Sequence, residues 1–189
     1  MGNFRMILDM DEVMVDFVGG ALRAHGWTRK RLYAAWPPGE WDMAAPMGLT
    51  LEEFWAPLTA AGENFWTGLE PHPWLPRLLA LVEGLTKDWY IVSSPSQCSS
   101  CHAGKARWLK TRFGPHFDRF AITPHKHLFA NPDTLLIDDR DETVRRFTDY
   151  GGVGLVFPAR HNRLHRLADD PVRYLETVLK KEVVALGSI

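Results

Sequence analysis

Four short apolar runs punctuate the chain: Phe4 to Leu8 (FRMIL), Tyr90 to Val92, TLLI at 134 to 137, and Val153 to Phe157. Each is too short for a helix and gives way to polar or turn-forming residues, so each predicts a buried strand. Between and after the later runs the apolar spacing changes to that of amphipathic helices. Ala103 to Phe113 (AGKARWLKTRF), Asp141 to Tyr150 (DETVRRFTDY) stopped by Gly151, and Pro171 to Leu186, with Val172, Leu175 and Leu179 on one face, are the three predicted there. Strand and helix therefore alternate from about Pro73 onward, the pattern of a parallel sheet with right-handed crossovers.

The stretch from Phe17 to Pro71 breaks this rhythm. It is rich in Trp and Pro, carries no strand pattern, and contains a capping box, Thr50-Leu51-Glu52-Glu53, in front of FWAPLTA. The expected fold is α/β: a Rossmann-like parallel sheet flanked by helices, with a small helical cap inserted after the first strand. Residues 1–16 and 72–189 would form the core and 17–71 the cap. No internal repeat or low-complexity tract alters that division.

With 189 residues, 46% of them hydrophobic, the chain can bury one sizeable core and a small accessory domain. Net charge is −1 and no long run of like charge occurs, so the basic face of a nucleic-acid polymer binder is not expected; a small-molecule substrate is. The first residues lack a secretory pattern and no window reaches 18 apolar residues, which points to the cytoplasm and away from membranes. Met1-Gly2-Asn3 begins like a myristoylation signal, but Met6 stands where Ser or Thr is required.

In an open parallel sheet, ligands bind beyond the carboxyl ends of the strands. The residues there are Asp9-Met10-Asp11, Ser93-Ser94, Lys126 in the loop after Phe120 to Thr123, and Asp138-Asp139-Arg140. Four acids at adjoining strand ends repel one another unless a cation sits among them, and carboxylate, carbonyl and water oxygens suit Mg²⁺. A phosphate would complete the charge balance, with Lys126 as a point charge and Ser93 and nearby N–H groups as donors. Asp9 could then attack phosphorus, while Asp11 protonates the leaving oxygen and later activates water. Taken singly, a D-x-D is usually a solvated turn, a DD a helix cap and a loop Lys plain surface. Their order along the chain is what sets them apart.

These residues resemble the haloacid dehalogenase superfamily of phosphohydrolases from Ile7 to about Asn162. Asp9-Met10-Asp11-Glu12-Val13 is similar to motif one, Ser93 to motif two, Lys126 to motif three and Asp138-Asp139 to motif four. MILDMDEVMVDF, NFWTGLEP, IVSSP, LLIDDR and RHN further resemble the 5'(3')-deoxyribonucleotidases. The resemblance implies hydrolysis of a nucleoside monophosphate with Mg²⁺ on a Rossmann-like core with a helical cap. It implies Asp9 as nucleophile and metal ligand, and Asp11 as general acid/base that also binds the metal through its main-chain carbonyl. Asp138 would be the acidic metal ligand and Asp139 its partner beside the metal; Ser93, Ser94 and Lys126 would hold the phosphate. Phe17 and Arg140 match positions near the base and the nucleotide, and Trp41 is weighed evenly between covering the base and packing the cap. Glu12 departs from the pattern, standing where many members carry Gly. A nucleotide is the partner implied, and a homodimer is left open. The alternative within the superfamily is a phosphatase for another small phosphate ester or for a nucleic-acid end.

A rival from another class rests on CSSCH at 98–102, which has the spacing of c-type haem attachment and holds both cysteines of the chain. Haem attachment needs export, and zinc would want four ligands where only Cys98, Cys101 and His102 are close, so a redox or haem module is the lesser reading. His161 and His165 lack the glutamate of H-E-x-x-H and read as polar surface, with His161-Asn162 near the substrate by family likeness. His125 and His127 flank Lys126, which would place one of them near the phosphate or leave both as ordinary loop histidines. Lys105, Arg107, Lys110 and Arg112 read as the solvated face of a helix.

Overall fold

The computed structural model describes residues 4–186, with side chains described as far as Glu182; Met1-Gly2-Asn3 lies outside these bounds. Five parallel strands, β1 (Arg5–Leu8), β2 (Trp89–Ser93), β3 (Phe120–Ile122), β4 (Thr134–Asp138) and β5 (Val153–Val156), form one sheet in the order β3-β2-β1-β4-β5. The sheet is parallel as predicted; four of its strands lie on the predicted apolar runs, and β3, not among those runs, adds the fifth. β1 is central, with Leu8 opposite Ile91 on one side and Ile137 on the other. Met6, Ile7 and Leu8 are all buried, as is every residue of β4, because helices cover both faces.

The helices are α1 (Phe17–Ala24), α2 (Arg29–Ala35), α3 (Leu51–Ala61), α4 (Glu63–Thr67), α5 (Leu75–Leu85), α6 (Ser100–Phe113), α7 (Asp141–Asp149) and α8 (Pro171–Leu186). Val172, Leu175 and Leu179 of α8 are fully buried, as their shared face predicted. α7 ends before Gly151, whose φ of +88° suits glycine. α6 begins at Ser100, three residues ahead of the segment its spacing predicted, and so draws Cys101 inside.

Residues 17–71 hold α1 to α4 and, among the described residues, no strand. The capping box forms as expected: Thr50 Oγ1 accepts from Glu53 N at 3.2 Å, and Glu53 Oε2 accepts from Thr50 N at 2.8 Å. The segment leaves and rejoins the rest of the chain at one place, where Asp16 N donates to Glu70 O and His72 N to Met14 O, each at 2.9 Å. α4 then packs closely on α6 at Gly104, where a Cβ would lie 2.5 Å from the Cβ of Trp66. No described helix is long and apolar enough to cross a membrane.

The strands point one way, so their carboxyl ends share one edge of the sheet. β1 and β4 are neighbours with Leu8 level with Ile137, and Asp9 N donates to Ile137 O at 2.9 Å. Asp9 and Asp138 therefore step off adjacent strands side by side. The strand order also reverses direction at β1, and the crevice of such a sheet lies at that reversal.

Candidate active site

Asp9, Asp138 and Asp139 are buried at this edge, and one carboxylate oxygen of each lies within 4.8 Å of the others. Lys126, 2% exposed, reaches between them, its Nζ 2.6 Å from both Asp9 Oδ1 and Asp138 Oδ2. Only the Asp138 contact has hydrogen-bond alignment, so Asp9 Oδ1 stays buried without a hydrogen-bond partner. Burial pushes the Asp9 carboxyl up to about 8 against the pull of Lys126, with Asp138 and Asp139 adding repulsion; the Asp138 carboxyl is raised for the same reasons. One ammonium thus pairs with two of the three buried acids, and the third, Asp139, meets His161. Three buried carboxylates with hard oxygen donors, one oxygen of Asp9 ion-paired to Lys126 but without an aligned hydrogen bond, fit a divalent cation of the Mg²⁺ type held by Asp9, Asp138 and Asp139.

This charge imbalance has a measurable consequence. Asp9 keeps its proton to about pH 8 and the half-buried Glu12 to about pH 7, against ordinary values of 3.8 and 4.5. The folded state then holds more protons than the unfolded one, so stability of the metal-free protein falls as pH rises through that window. His72, held neutral down to about 4, acts with the opposite sign only below 6.5. EDTA-treated protein is therefore expected to melt a few degrees lower at pH 8 than at 6.5, a loss of roughly 1–2 kcal/mol. Mg²⁺ should raise the melting temperature more at pH 8; equal gains at both pH values would contradict the charge argument.

Asp11 is separate from this trio. Its Oδ2 accepts from Lys105 Nζ at 2.5 Å, and the same ammonium donates to Ser93 Oγ and Ser94 O, both at 2.8 Å. Lys105 is fully buried, with its Nζ 4.9 Å from the Trp66 ring centre, so the reading of Lys105 as part of a solvated face is wrong. Arg107, Lys110 and Arg112 on the same helix are exposed, as expected. The physical reason is register: Cys101, Gly104, Lys105, Trp108 and Leu109 form the buried stripe of α6. Ser93 is fully buried under Lys105, and the exposed wall is made by Ser94, Pro95 and Ser96.

Glu12, where the family pattern has a small residue, is the one non-glycine among the described residues with positive φ, at 56°. That backbone costs an L-residue roughly 1–2 kcal/mol. Its carboxylate offsets this by accepting from Val18 N at 2.8 Å, while Asp16 accepts from Gly19 N at 2.7 Å and pairs with Arg29. The two acids thus satisfy the free N–H groups that open α1. They also lie near His72, which stacks on Trp74 at 4.0 Å.

Above the acids opens a cavity of about 500 Å³. Asp9, Asp11, Asp138, Asp139 and Lys126 form its floor, and Phe17, Trp41, Phe54, Trp55 and Trp66 line it from the helical segment. Phe17 is part of an aromatic cluster, its ring centre 6.1 Å from Trp66 and 5.9 Å from Trp55. Trp41 is 52% exposed at the rim, with the Arg140 guanidinium 5.1 Å over its ring. All three residues singled out for substrate contact therefore face one space, and Trp41 is too exposed to be cap core. His161 also lines the cavity, buried and 2.6 Å from Asp139. His165 instead lies outside it, 3.1 Å from Asn162 O. His127 packs on Tyr150 rather than at the site.

The two cysteines are free. Cys101 is fully buried, its sulfur accepting from Ser96 N at 3.3 Å, and burial raises its thiol pKa. Haem attachment through both thiols would require unfolding the start of α6.

Solved structures that share this fold include haloacid dehalogenase-family hydrolases. One from Streptococcus pneumoniae matches with a TM-score of 0.53, covering 93% of this chain and 98% of its own at 14% identity. A putative HAD-hydrolase from Bacillus subtilis, bound to magnesium, matches with a TM-score of 0.51 over 83% and 87% at 14% identity. The chain thus has the fold of these hydrolases, as its motifs implied. In sequence it resembles the human mitochondrial 5'(3')-deoxyribonucleotidase, 27% identical over 194 positions that cover 88% of this chain and 79% of that enzyme. No family model matches the sequence.

Proposed function

We propose that the protein is a Mg²⁺-dependent phosphatase that hydrolyses (deoxy)ribonucleoside monophosphates to nucleoside and phosphate through an aspartyl-phosphate. The observation that carries this reading is the division of labour among the carboxylates at one cavity floor. Asp9 sits among Asp138, Asp139 and Lys126, and Asp11 is held apart by Lys105. The likeness to a deoxyribonucleotidase supports the substrate class.

Asp9 attacks phosphorus, forming its P–O bond as the bond to the leaving oxygen breaks, and Asp11 gives that oxygen its proton. Asp11 then takes a proton from the water that cleaves the aspartyl-phosphate, releasing phosphate and restoring Asp9. Lys126 orients Asp9 and adds positive charge where the transferring oxygens gather. Ser94 offers a hydroxyl to the phosphate, and Ser93 acts through Lys105. Mg²⁺, held by Asp9, Asp138 and Asp139 with the Asp11 carbonyl, would neutralise phosphoryl charge. Residues 17–71 act as a cap whose aromatics, with Phe17, Trp41 and Arg140, flank the base and sugar. The free thiols suit a reducing compartment such as the cytoplasm.

Phosphate release is to be measured across 5'- and 3'-mononucleotides, sugar phosphates and phosphorylated oligonucleotides, with Mg²⁺ and with EDTA. Mononucleotides should be preferred, and EDTA should abolish release. Preference for oligonucleotide ends or sugar phosphates would replace this reading with the other phosphatase.

A further inference from the structure

From the contacts of His161 we infer a further positioning residue: His161 fixes the Asp139 carboxylate for the cation and ties that carboxylate to the wall of the cavity. The inference rests on the reading of Asp139 as part of the cation-holding set. His161 Nε2 lies 2.6 Å from Asp139 Oδ2. A carboxylate accepts, so Nε2 is the protonated nitrogen and donates.

The backbone of Asp139 is held from the same segment. Asn162 Nδ2 donates to Asp139 O and to Phe157 O, both at 2.7 Å, and Asn162 Oδ1 accepts from Leu164 N at 3.0 Å. The turn after β5 thus grips one residue at both its carbonyl and its carboxylate, and each of the three participants is buried. Asp138 is secured differently, by Lys126 and by the Arg140 N–H at 2.9 Å. Without His161, the Asp139 carboxylate would lose the one hydrogen-bond partner its oxygens have among the described residues.

The other side of the imidazole meets the helical segment. Its ring stacks on Trp36, with centres 6.1 Å apart and planes at 20°, and meets Trp41 edge-on at 4.9 Å. Arg160, the preceding residue, donates to Trp36 O at 2.7 Å, and its own carbonyl accepts from Gly39 N at 2.7 Å. Residues 160 and 161 therefore grip the 36–41 stretch while one of them orients an acid of the floor. Residues that hydrogen-bond a metal-holding carboxylate typically change metal affinity by about 10- to 100-fold when removed.

The test is Mg²⁺ binding by titration calorimetry on metal-stripped protein, with circular dichroism to check folding. His161→Phe keeps a ring against Trp36 and Trp41 but cannot donate, and should weaken Mg²⁺ by about 10- to 100-fold. His161→Gln places an amide donor near the former Nε2 and should bind within a few-fold of wild type. Trp41→Ala removes the edge contact but not the donor, and should also bind like wild type. If His161→Phe fails to fold, His161→Asn, whose amide stops short of Asp139, serves in its place with the same expected loss. Wild-type affinity in the donor-less variant, or equal loss in His161→Gln, overturns the inference alone. Failure of the wild-type protein to take up Mg²⁺ overturns it together with the metal reading beneath it.

Discussion

Asp9→Asn should lower kcat for mononucleotide hydrolysis by about 10³-fold or more while leaving the fold intact. Asparagine keeps the shape of the side chain but has no charged oxygen to attack phosphorus, so the first covalent step is lost rather than slowed by misplacement. The same change removes one of three buried ionisable carboxyls. Because burial and two neighbouring acids already push Asp9 up to about 8, a neutral amide there should hold or raise the melting temperature of metal-free protein at pH 8. An inactive yet equally stable variant separates chemistry from folding. Activity within tenfold of wild type would remove Asp9 from the nucleophile's role, and activity lost instead on Cys98→Ser would point to the thiols.

The second large effect is expected at Lys105. Lys105→Met preserves length and burial but withdraws the ammonium that holds Asp11, Ser93 and the Ser94 carbonyl. Asp11 then loses its orientation toward the leaving oxygen, and kcat should fall by about 10²-fold, the range ascribed to a positioned acid/base. Each buried group left unpaired costs about 1–3 kcal/mol, so the melting temperature should fall as well. Asp11 itself is 27% exposed and can regain water, which keeps the loss at the lower end for that group. Arg107→Met, on the exposed side of the same helix, is the control and should match wild type in both measurements. A Lys105→Met enzyme with wild-type kcat would show that Asp11 needs no such support.

The difference between these two residues marks how far the sequence could be read. Asp9 and Asp138 were legible because an apolar run buried on both sides ends abruptly in an acid, and parallel strands deliver such ends to one edge. Lys105 was not, because a lysine in a basic helical stretch is ordinarily solvated. The signal lay in its neighbours: 101, 104, 105, 108 and 109 follow the spacing of a buried stripe, and a glycine beside the lysine marks close helix contact. Ser93 was placed at the right strand end, but the sequence could not show which of Ser93 and Ser94 faces outward. Glu12 was visible as a departure, while its reason, the free Val18 N–H at the start of α1 and a left-handed backbone, appears only in three dimensions. For the helical segment, composition gave helices and a place of insertion, but long-range packing alone decides which of its tryptophans line the cavity.

The paired backbone at Met14–Asp16 and Glu70–His72 has a bearing on how such a protein changes over generations. Two neighbouring stretches of main chain act as a fixed collar, so insertions, deletions and exchanged aromatics between residues 17 and 70 need not shift the central strand or the acids at its tip. On the function proposed above, inherited variation in what is recognised can accumulate on one length of chain while the acids of the floor, drawn from others, stay in register.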